Sequence, residues 1–87
     1  MTEAAFLSIT FPRSADASDL TFRVKVSGDL VTWDDGSLYS PAGDTPSNAF
    51  TTQVARSSGN PEVITVRDNV PVTSSPGRFI RLEILPP

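Results

Sequence analysis

Four residues near the middle of the chain have side chains suited to binding a ligand. They are Trp33, Asp34, Asp35 and Tyr39, and the chain contains no other tryptophan or tyrosine. An exposed aromatic ring can stack on a sugar ring, and paired carboxylates supply the oxygen ligands that calcium prefers. The sequence therefore offers Trp33 and Tyr39 as a carbohydrate platform, and Asp34 and Asp35 as candidate ligand-binding acids.

Each of these residues also has a structural interpretation, which the sequence favours. Trp33 follows a strand-like pattern, and a small β domain needs large aromatic side chains in its core. Asp34-Asp35-Gly36 is typical of a tight turn and lacks the acidic spacing of an EF-hand loop. We therefore predict a core position for Trp33, a turn at 34–36, no metal site and no cofactor, with calcium dependence left open.

Catalytic chemistry has few candidates in this chain. It contains no histidine and no cysteine, which excludes a Ser-His-Asp triad, a thiolate nucleophile and disulfide bonds. A glycosidase pair would have to come from Glu3, Glu62 and Glu83, and the last two lie in strand patterns whose outer faces usually carry charge. We predict that the protein is not an enzyme and has no catalytic residues.

The basic residues do not form a patch. Seven basic and ten acidic residues leave a net charge of -3, and the basic ones are scattered along the chain. Arg78 and Arg81 are three residues apart on a strand pattern, so they point to opposite faces, and we expect Arg81 to pair with an acid across the sheet. No apolar run approaches the roughly 20 residues that span a bilayer. We predict no nucleic-acid partner and no membrane span.

Alternating apolar and polar residues predict a chain made of short strands. The clearest strand is 20–27, which places Leu20, Phe22, Val24 and Val26 on one face. The same alternation predicts four more strands: 4–11, ended by Pro12; 49–56, with Phe50, Thr52 and Val54 on one face; 62–67; and 78–85, with Ile80, Leu82 and Ile84 on one face. Residues 30–33 are interpreted as a short strand or an edge.

Turn signals separate these strands at short intervals. They lie at 13–19, 28–29, 34–36, 40–48, 57–61, 68–69 and 70–77, and 40–48 is the longest predicted loop. Six to seven short strands at this spacing are typical of an antiparallel β-sandwich of the fibronectin-III or immunoglobulin-like kind. We expect one domain over 1–87, with Pro12, Pro71 and Pro86 protecting outer strands from edge pairing.

Two stretches together resemble a family of modules. They are LTFRVKVSGDLVTW at 20–33 and EVITVRDNVPVTSSPGRFIRLEI at 62–84. They resemble the C-terminal β-sandwich accessory modules of large secreted bacterial proteins of the autotransporter-like, adhesin-like or haemolysin-like kind. In that family a Ser-x-Asp-Leu-x-x-Trp signature precedes a Val-Thr-Val-x-Asp strand and a closing Arg-Phe-x-Arg-Leu strand. The matching positions are Ser27, Asp29, Leu30 and Trp33, then Ile64, Thr65, Val66 and Asp68, then Arg78, Phe79, Arg81 and Leu82.

The resemblance covers most of the chain, and Ile64 departs from the valine of the family pattern. It implies structural roles for the motif residues rather than one shared ligand. Leu30 and Trp33 would lie in the core, Asp29 and Asp68 in turns, and Phe79 and Leu82 in the closing strand. The resemblance also implies that the chain is a C-terminal fragment of a longer secreted protein.

The sequence thus predicts a non-catalytic accessory or interaction module of a secreted or cell-surface bacterial protein, used for binding, spacing or export-linked anchoring. Its partners would be the other domains of the parent polypeptide and a surface glycan or protein, and the module itself would be a monomer. Contact would be made by loops at 13–19, 34–48 and 57–61. The alternative is a carbohydrate-binding module attached to a polysaccharide hydrolase or a haemolysin-like toxin, which requires Trp33 and Tyr39 to be exposed on one face.

Overall fold

Seven β-strands account for most of the residues that the computed structural model describes, which are 5–14, 19–72 and 77–86. The strands are β1 (Ser8–Arg13), β2 (Thr21–Ser27), β3 (Asp34–Ser40), β4 (Gly43–Thr45), β5 (Thr51–Arg56), β6 (Glu62–Asp68) and β7 (Phe79–Leu85). The described ranges contain no helix that is long and apolar enough to cross a membrane.

The strands form two antiparallel sheets, and this confirms the predicted β-sandwich. Three strands form one sheet in the order β1-β6-β5, and four form the other in the order β4-β3-β2-β7. The connections β1–β2, β4–β5 and β6–β7 cross from one sheet to the other. The pairings match part of a variable-type immunoglobulin sandwich. In this comparison β1, β6 and β5 correspond to strands B, E and D, and β4, β3, β2 and β7 correspond to C″, C′, C and F.

The core lies between the two sheets, and the alternation in β2 builds much of it. Phe22, Val24 and Val26 are buried, as predicted. Phe11 of β1 stacks on Phe22 from the opposite sheet, with ring centroids 5.9 Å apart. Burying each side chain of this size stabilises the fold by roughly 1.5–3 kcal/mol. The rest of the core cluster consists of Tyr39, Ile64 and Val66, with Ile9, Leu20, Ile80 and Leu82 packed against it.

The first strand begins and ends later than predicted. The sequence predicted a strand over 4–11 that Pro12 ends, but β1 continues through Pro12 to Arg13. An edge strand tolerates proline because it needs a hydrogen-bonded partner on one side only, and β1 is the edge of its sheet. Pro12 therefore protects an edge, as expected, whereas Pro71 and Pro86 lie outside the strands.

The turn predicted at Asp34-Asp35-Gly36 is wrong, because these residues begin β3. The pairing of β2 with β3 shifts by one residue, which is a bulge on β3 close to Gly36. A Cβ atom on Gly36 would lie 2.5 Å from the side chain of Thr51 and 2.9 Å from the carbonyl oxygen of Val24. Glycine is needed here for close approach rather than for a turn. The short strand or edge predicted at 30–33 is instead the loop that precedes β3.

Two predictions in the middle of the chain are also corrected. The long loop predicted at 40–48 contains β4, which pairs with β3 as a hairpin. In 49–56 the buried residue is Thr51, while Phe50 and Val54 are exposed. The predicted face is wrong from the start of the strand, because Thr51 and Gln53 lie opposite Asp68 and Val66, the inward residues of β6. Val54 is then the extra residue of a bulge on an edge strand.

The strand predicted at 62–67 is confirmed as β6, and β7 follows its predicted alternation. Ile64 and Val66 of β6 are buried, and Ile80 and Leu82 of β7 pack against the core. Ile84 shares their face but is 52% exposed. Glu3, part of the predicted loop 13–19 and part of the predicted crossing 70–77 lie outside the described residues.

Candidate binding surface

Three connections share one end of the sandwich, here called the loop end: 28–33, 46–50, and 69–72 with 77–78. The strand pairings bring them together. Ser27 at the end of β2 lies opposite Phe79 at the start of β7, and Thr51 at the start of β5 lies opposite Asp68 at the end of β6. An ion pair between Arg78 and Asp68 joins the two sheets at this end.

Exposed apolar side chains gather at the loop end. Seven large hydrophobic side chains are exposed in the described part of the chain, and four of them belong to these connections: Leu30 (57%), Val31 (83%), Phe50 (42%) and Val70 (36%). Clustered apolar exposure is typical of an interaction surface. The expectation that Leu30 lies in the core is therefore wrong.

Two polar side chains hold the loop 28–33 in shape. The Ser27 hydroxyl oxygen accepts hydrogen bonds from the backbone N–H groups of Asp29 and Leu30, at 3.2 and 2.9 Å. The Asp29 carboxylate accepts from those of Val31 and Thr32, at 2.9 and 2.8 Å. Leu30 has a φ of 65°, a left-handed conformation that costs a non-glycine residue energy. Side-chain acceptors thus satisfy the backbone of an exposed loop.

The charge of Asp29 is stabilised by the loop that it organises. The backbone N–H of Thr32, and then that of Val31, donate to the carboxylate and lower its pKa below the ordinary value. The prediction that Asp29 belongs to a turn is confirmed. This network gives Ser27 and Asp29 a structural role in the loop 28–33.

Trp33 lies outside the core cluster, which corrects the predicted core position. Its ring is half-buried, and the guanidinium carbon of Arg81 lies 4.2 Å from the ring centroid. Arg81 alternates with the inward-facing residues of β7, so the stack lies on the outer face of the four-stranded sheet. An exposed cation–π contact of this kind is worth about 0.5–1 kcal/mol.

The acid expected opposite Arg81 is not its main partner. Among the described residues, the carboxylate that Arg81 contacts is Glu83 of the same strand, at 4.0 Å. Lys25 approaches Glu83 to 3.6 Å and Asp35 to 3.5 Å. The cross-strand acids thus pair with Lys25, and Arg81 stacks on Trp33.

Tyr39 occupies the core and does not share a surface with Trp33. Its side chain has 0% exposure, its ring packs edge-on against Phe11 at 5.8 Å, and its hydroxyl donates to the Gln53 side-chain oxygen at 2.7 Å. Burial is the main reason that the pKa of Tyr39 is raised to about 12. The two aromatic residues proposed as a sugar platform are therefore separated.

Asp34 and Asp35 also diverge, because successive residues of a strand point to opposite faces. The Asp35 side chain is 58% exposed and pairs with Lys25 and Arg23 at 3.5 and 3.8 Å. Asp34 lies opposite Val26 and is half-buried. The pKa of Arg78 is raised mainly by its hydrogen bond to Asp68, with a smaller contribution from the charge of Asp34. Among the described residues no three acidic side chains are placed to hold a metal ion together.

At the end of the sandwich away from the loop end, four charged side chains form an ionic cluster that the sequence did not reveal. Arg13 contacts Asp44 and Glu62 at 3.2 and 3.5 Å, and Arg56 contacts the same two acids at 3.2 and 3.0 Å. Both guanidinium groups lie over the Tyr39 ring, at 5.8 and 5.4 Å. The hydrogen bond from Arg56 is the main cause of the lowered pKa of Glu62. Asp44 belongs to the four-stranded sheet and the other three to the three-stranded sheet, so the cluster joins the two.

The second feature missed by the sequence is a buried ion pair at the loop end. Asp68 has 0% exposure and accepts two hydrogen bonds from Arg78, at 2.8 and 3.0 Å. It also accepts from the backbone N–H of Val70 at 3.0 Å, so it keeps the predicted turn contact. Asp68 and Arg78 both lie in the stretch 62–84 that was singled out in the sequence. Their presence there is the sequence feature that could have pointed to the pair.

No protein family model, curated protein or solved structure matches the chain. The resemblance of 20–33 and 62–84 to secreted accessory modules therefore stays a prediction. The ligand-binding roles suggested for Trp33, Asp34, Asp35 and Tyr39 also stay predictions, and the structure places these residues on different faces.

Proposed function

We propose that the chain is a non-catalytic interaction module of a secreted or cell-surface bacterial protein, and that it contacts another protein domain through the loop end. The observation that carries this proposal is the group of four exposed apolar side chains there: Leu30, Val31, Phe50 and Val70. Exposed apolar side chains concentrated at one end of a domain are typical of a contact surface.

The loop that carries the two most exposed of these side chains is already organised. Ser27 and Asp29 hold the backbone between them and Thr32 with short hydrogen bonds. A loop that is ordered before binding loses less conformational entropy when it binds. This supports a contact role for 28–33, a segment that was not among the loops expected to bind.

The remaining charged groups support a structural rather than a catalytic role. Glu62, the better placed of the candidate catalytic acids, is held between Arg13 and Arg56. Its pKa is lowered, whereas a general acid in a glycosidase needs a raised pKa. Glu83 lies on the other sheet and approaches Lys25, so the two acids do not form a pair across a cleft.

The alternative function, carbohydrate binding, is favoured by one observation. The Trp33 ring is half-buried and its partner is an exposed cation that a sugar ring could replace. With Tyr39 buried, such a site would contain one aromatic ring, which predicts weak binding compared with a two-ring platform.

One binding experiment on the whole chain distinguishes protein contact from carbohydrate binding. Labelled protein is titrated onto bacterial cells and onto insoluble cellulose, chitin and peptidoglycan. The double variant Leu30→Ser/Val31→Ser is compared with Val54→Ser/Val63→Ser, which removes two exposed apolar side chains from the three-stranded sheet. Circular dichroism establishes that each variant is folded.

We expect saturable binding to cells that weakens on the order of tenfold in the loop-end variant, about 1.4 kcal/mol, and is unchanged in the control. Equal binding by the two double variants, or no saturable binding to any surface, would overturn the proposal. Binding to a polysaccharide that is lost with Trp33→Ala would establish the carbohydrate alternative. Release of reducing sugar that is abolished by Glu62→Gln would contradict the non-catalytic assignment.

A further inference from the structure

The two sheets end in four edge strands, and three of these edges are protected against pairing with another chain. β1 contains Pro12, β5 is bulged at Val54, and β4 is only 3 residues long. Proline, bulges and short strands are the usual devices that prevent edge-to-edge association.

The fourth edge, β7, has none of these devices. It is 7 residues long, contains no proline, and pairs with β2 in a continuous register without a bulge. No strand within the described ranges pairs with its other side. Ile84 on this strand is 52% exposed. A long, regular edge with an exposed apolar residue is a template for another strand.

Two copies of β7 that pair antiparallel would place side chains of complementary charge and polarity opposite each other. The strand reads Phe79-Ile80-Arg81-Leu82-Glu83-Ile84-Leu85. If two copies pair antiparallel about Leu82, Arg81 of each lies opposite Glu83 of the other. The same register places Ile80 opposite Ile84 and Phe79 opposite Leu85. Directly opposite side chains have Cβ atoms about 4.5–5.5 Å apart, which is close enough for charge pairing and apolar contact.

We propose that two copies of the chain associate through β7 in this register and form one continuous eight-stranded sheet. Such a contact is isologous, since the same strand is used by both copies. It differs from the monomer that the sequence led us to expect, and it goes beyond the proposed function because it uses a different surface.

Antiparallel pairing also determines where the loop ends lie. The loop end adjoins the start of β7, so in the paired sheet the two loop ends point in opposite directions and both stay free. One dimer would therefore present two partner-binding surfaces. Because the two loop ends face away from each other, such a dimer would bridge two partners rather than engage one surface twice.

The experiment is sedimentation velocity of the whole chain over a range of concentrations. Arg81→Glu places two acids opposite each other at both symmetric positions, and Glu83→Arg places two bases there. We expect the wild type to shift from monomer to dimer with concentration, and each single variant to dimerise on the order of tenfold or more weakly. Asp35→Lys reverses an exposed charge on β3, a strand that does not pair with β7, so it is the matched control and should dimerise like the wild type.

The deciding sample is an equimolar mixture of the two single variants. In a mixed pair, the acid introduced at position 81 of one chain faces the base introduced at position 83 of the other. The unchanged Glu83 of the first chain then faces the unchanged Arg81 of the second, so both contacts become attractive. Restored association in the mixture establishes the register and excludes a folding defect, because the same two chains fail to associate separately. The proposal is overturned if the wild type remains monomeric at every concentration, or if the mixture associates no better than the single variants.

Discussion

Arg78 donates two hydrogen bonds to the carboxylate of Asp68, at 2.8 and 3.0 Å, and this pair connects the two sheets at the loop end. Asp68 ends β6 in the three-stranded sheet, and Arg78 precedes β7 in the four-stranded sheet. Neither side chain is more than 9% exposed. The contact is bidentate, which is the strongest form of an arginine–carboxylate pair.

Removing the arginine should strongly destabilise the domain. Arg78→Ala leaves the buried Asp68 carboxylate without its counter-charge, and breaking a buried pair in this way costs about 3–5 kcal/mol of the free energy of unfolding. Chemical denaturation measures this cost. Asp68→Asn in the Arg78→Ala background should recover part of it, because the unpaired charge is then absent.

Arg23→Ala is the matched control for this prediction. Arg23 is 3.8 Å from Asp35, whose side chain is 58% exposed, and such surface pairs contribute about 0–1 kcal/mol. Equal losses for Arg78→Ala and Arg23→Ala would show that the Asp68 pair does not hold the sheets together.

Acidification should destabilise the domain through Glu62 and Asp29. The pKa of each is lower in the folded protein than its ordinary value, which is 4.5 for Glu62 and 3.8 for Asp29. A lowered folded pKa gives stabilisation that is present above the ordinary pKa and is lost as the pH falls through the folded pKa. We therefore expect the melting temperature to be flat from neutral pH to about pH 5 and to fall below it.

Replacement of Glu62 should remove part of that pH dependence. Glu62→Gln should melt at a lower temperature than the wild type near neutral pH, and the difference should shrink as the pH falls, because the wild-type carboxylate also becomes neutral. Asp35→Asn, at an exposed carboxylate, is the control. Parallel melting curves for Glu62→Gln and the wild type at all pH values would contradict the ionic cluster.

Alkaline titration should report the burial of Tyr39. The folded pKa is raised to about 12, so the neutral phenol stabilises the fold fully below its ordinary pKa of 10.0, and this contribution is lost as the pH rises through the folded value. Since there is one tyrosine, tyrosinate absorbance reports it alone. We expect no tyrosinate near pH 10 until the protein unfolds. A reversible titration near pH 10 in folded protein would place Tyr39 at the surface.

Fluorescence of Trp33 should report the Arg81 stack. The ring is half-buried and the guanidinium group covers one face of it, so acrylamide, a neutral quencher, should quench the emission only partly. Arg81→Ala uncovers that face and should increase the quenching constant, since exposure of the ring rises. Arg23→Ala should leave quenching unchanged. A fully protected emission in the wild type would restore the core assignment of Trp33.

The alternation of apolar and polar residues made the fold predictable for strands that have one buried face and one solvent-exposed face. β2 follows the predicted faces, because Val24 packs between the sheets while its neighbours face outward. Prediction failed at Gly36, where an Asp-Gly pair typical of turns lies at a bulge inside β3. It also failed in β5, where the polar Thr51 rather than its apolar neighbour Phe50 faces inward.

The candidate surface was less predictable because it depends on contacts between distant residues. The pairing of Arg78 with Asp68 requires knowing that β6 ends beside the start of β7, in another sheet. Trp33 looked like a core residue because aromatic side chains usually are, and nothing local indicates that Arg81 would cover it. Residues 30–33 resembled a short strand because Leu30 and Val31 are apolar. The loop that Ser27 and Asp29 organise was therefore not predicted.

The most direct test of the proposed function is backbone amide NMR of the ¹⁵N-labelled chain during titration with solubilised bacterial cell-surface protein. Contact through the loop end predicts signal changes at Leu30, Val31, Phe50 and Val70, with the outer face around Arg81 unaffected. Changes confined to Trp33, Arg81 and their neighbours, or no changes at the loop end at saturating partner, would contradict the account.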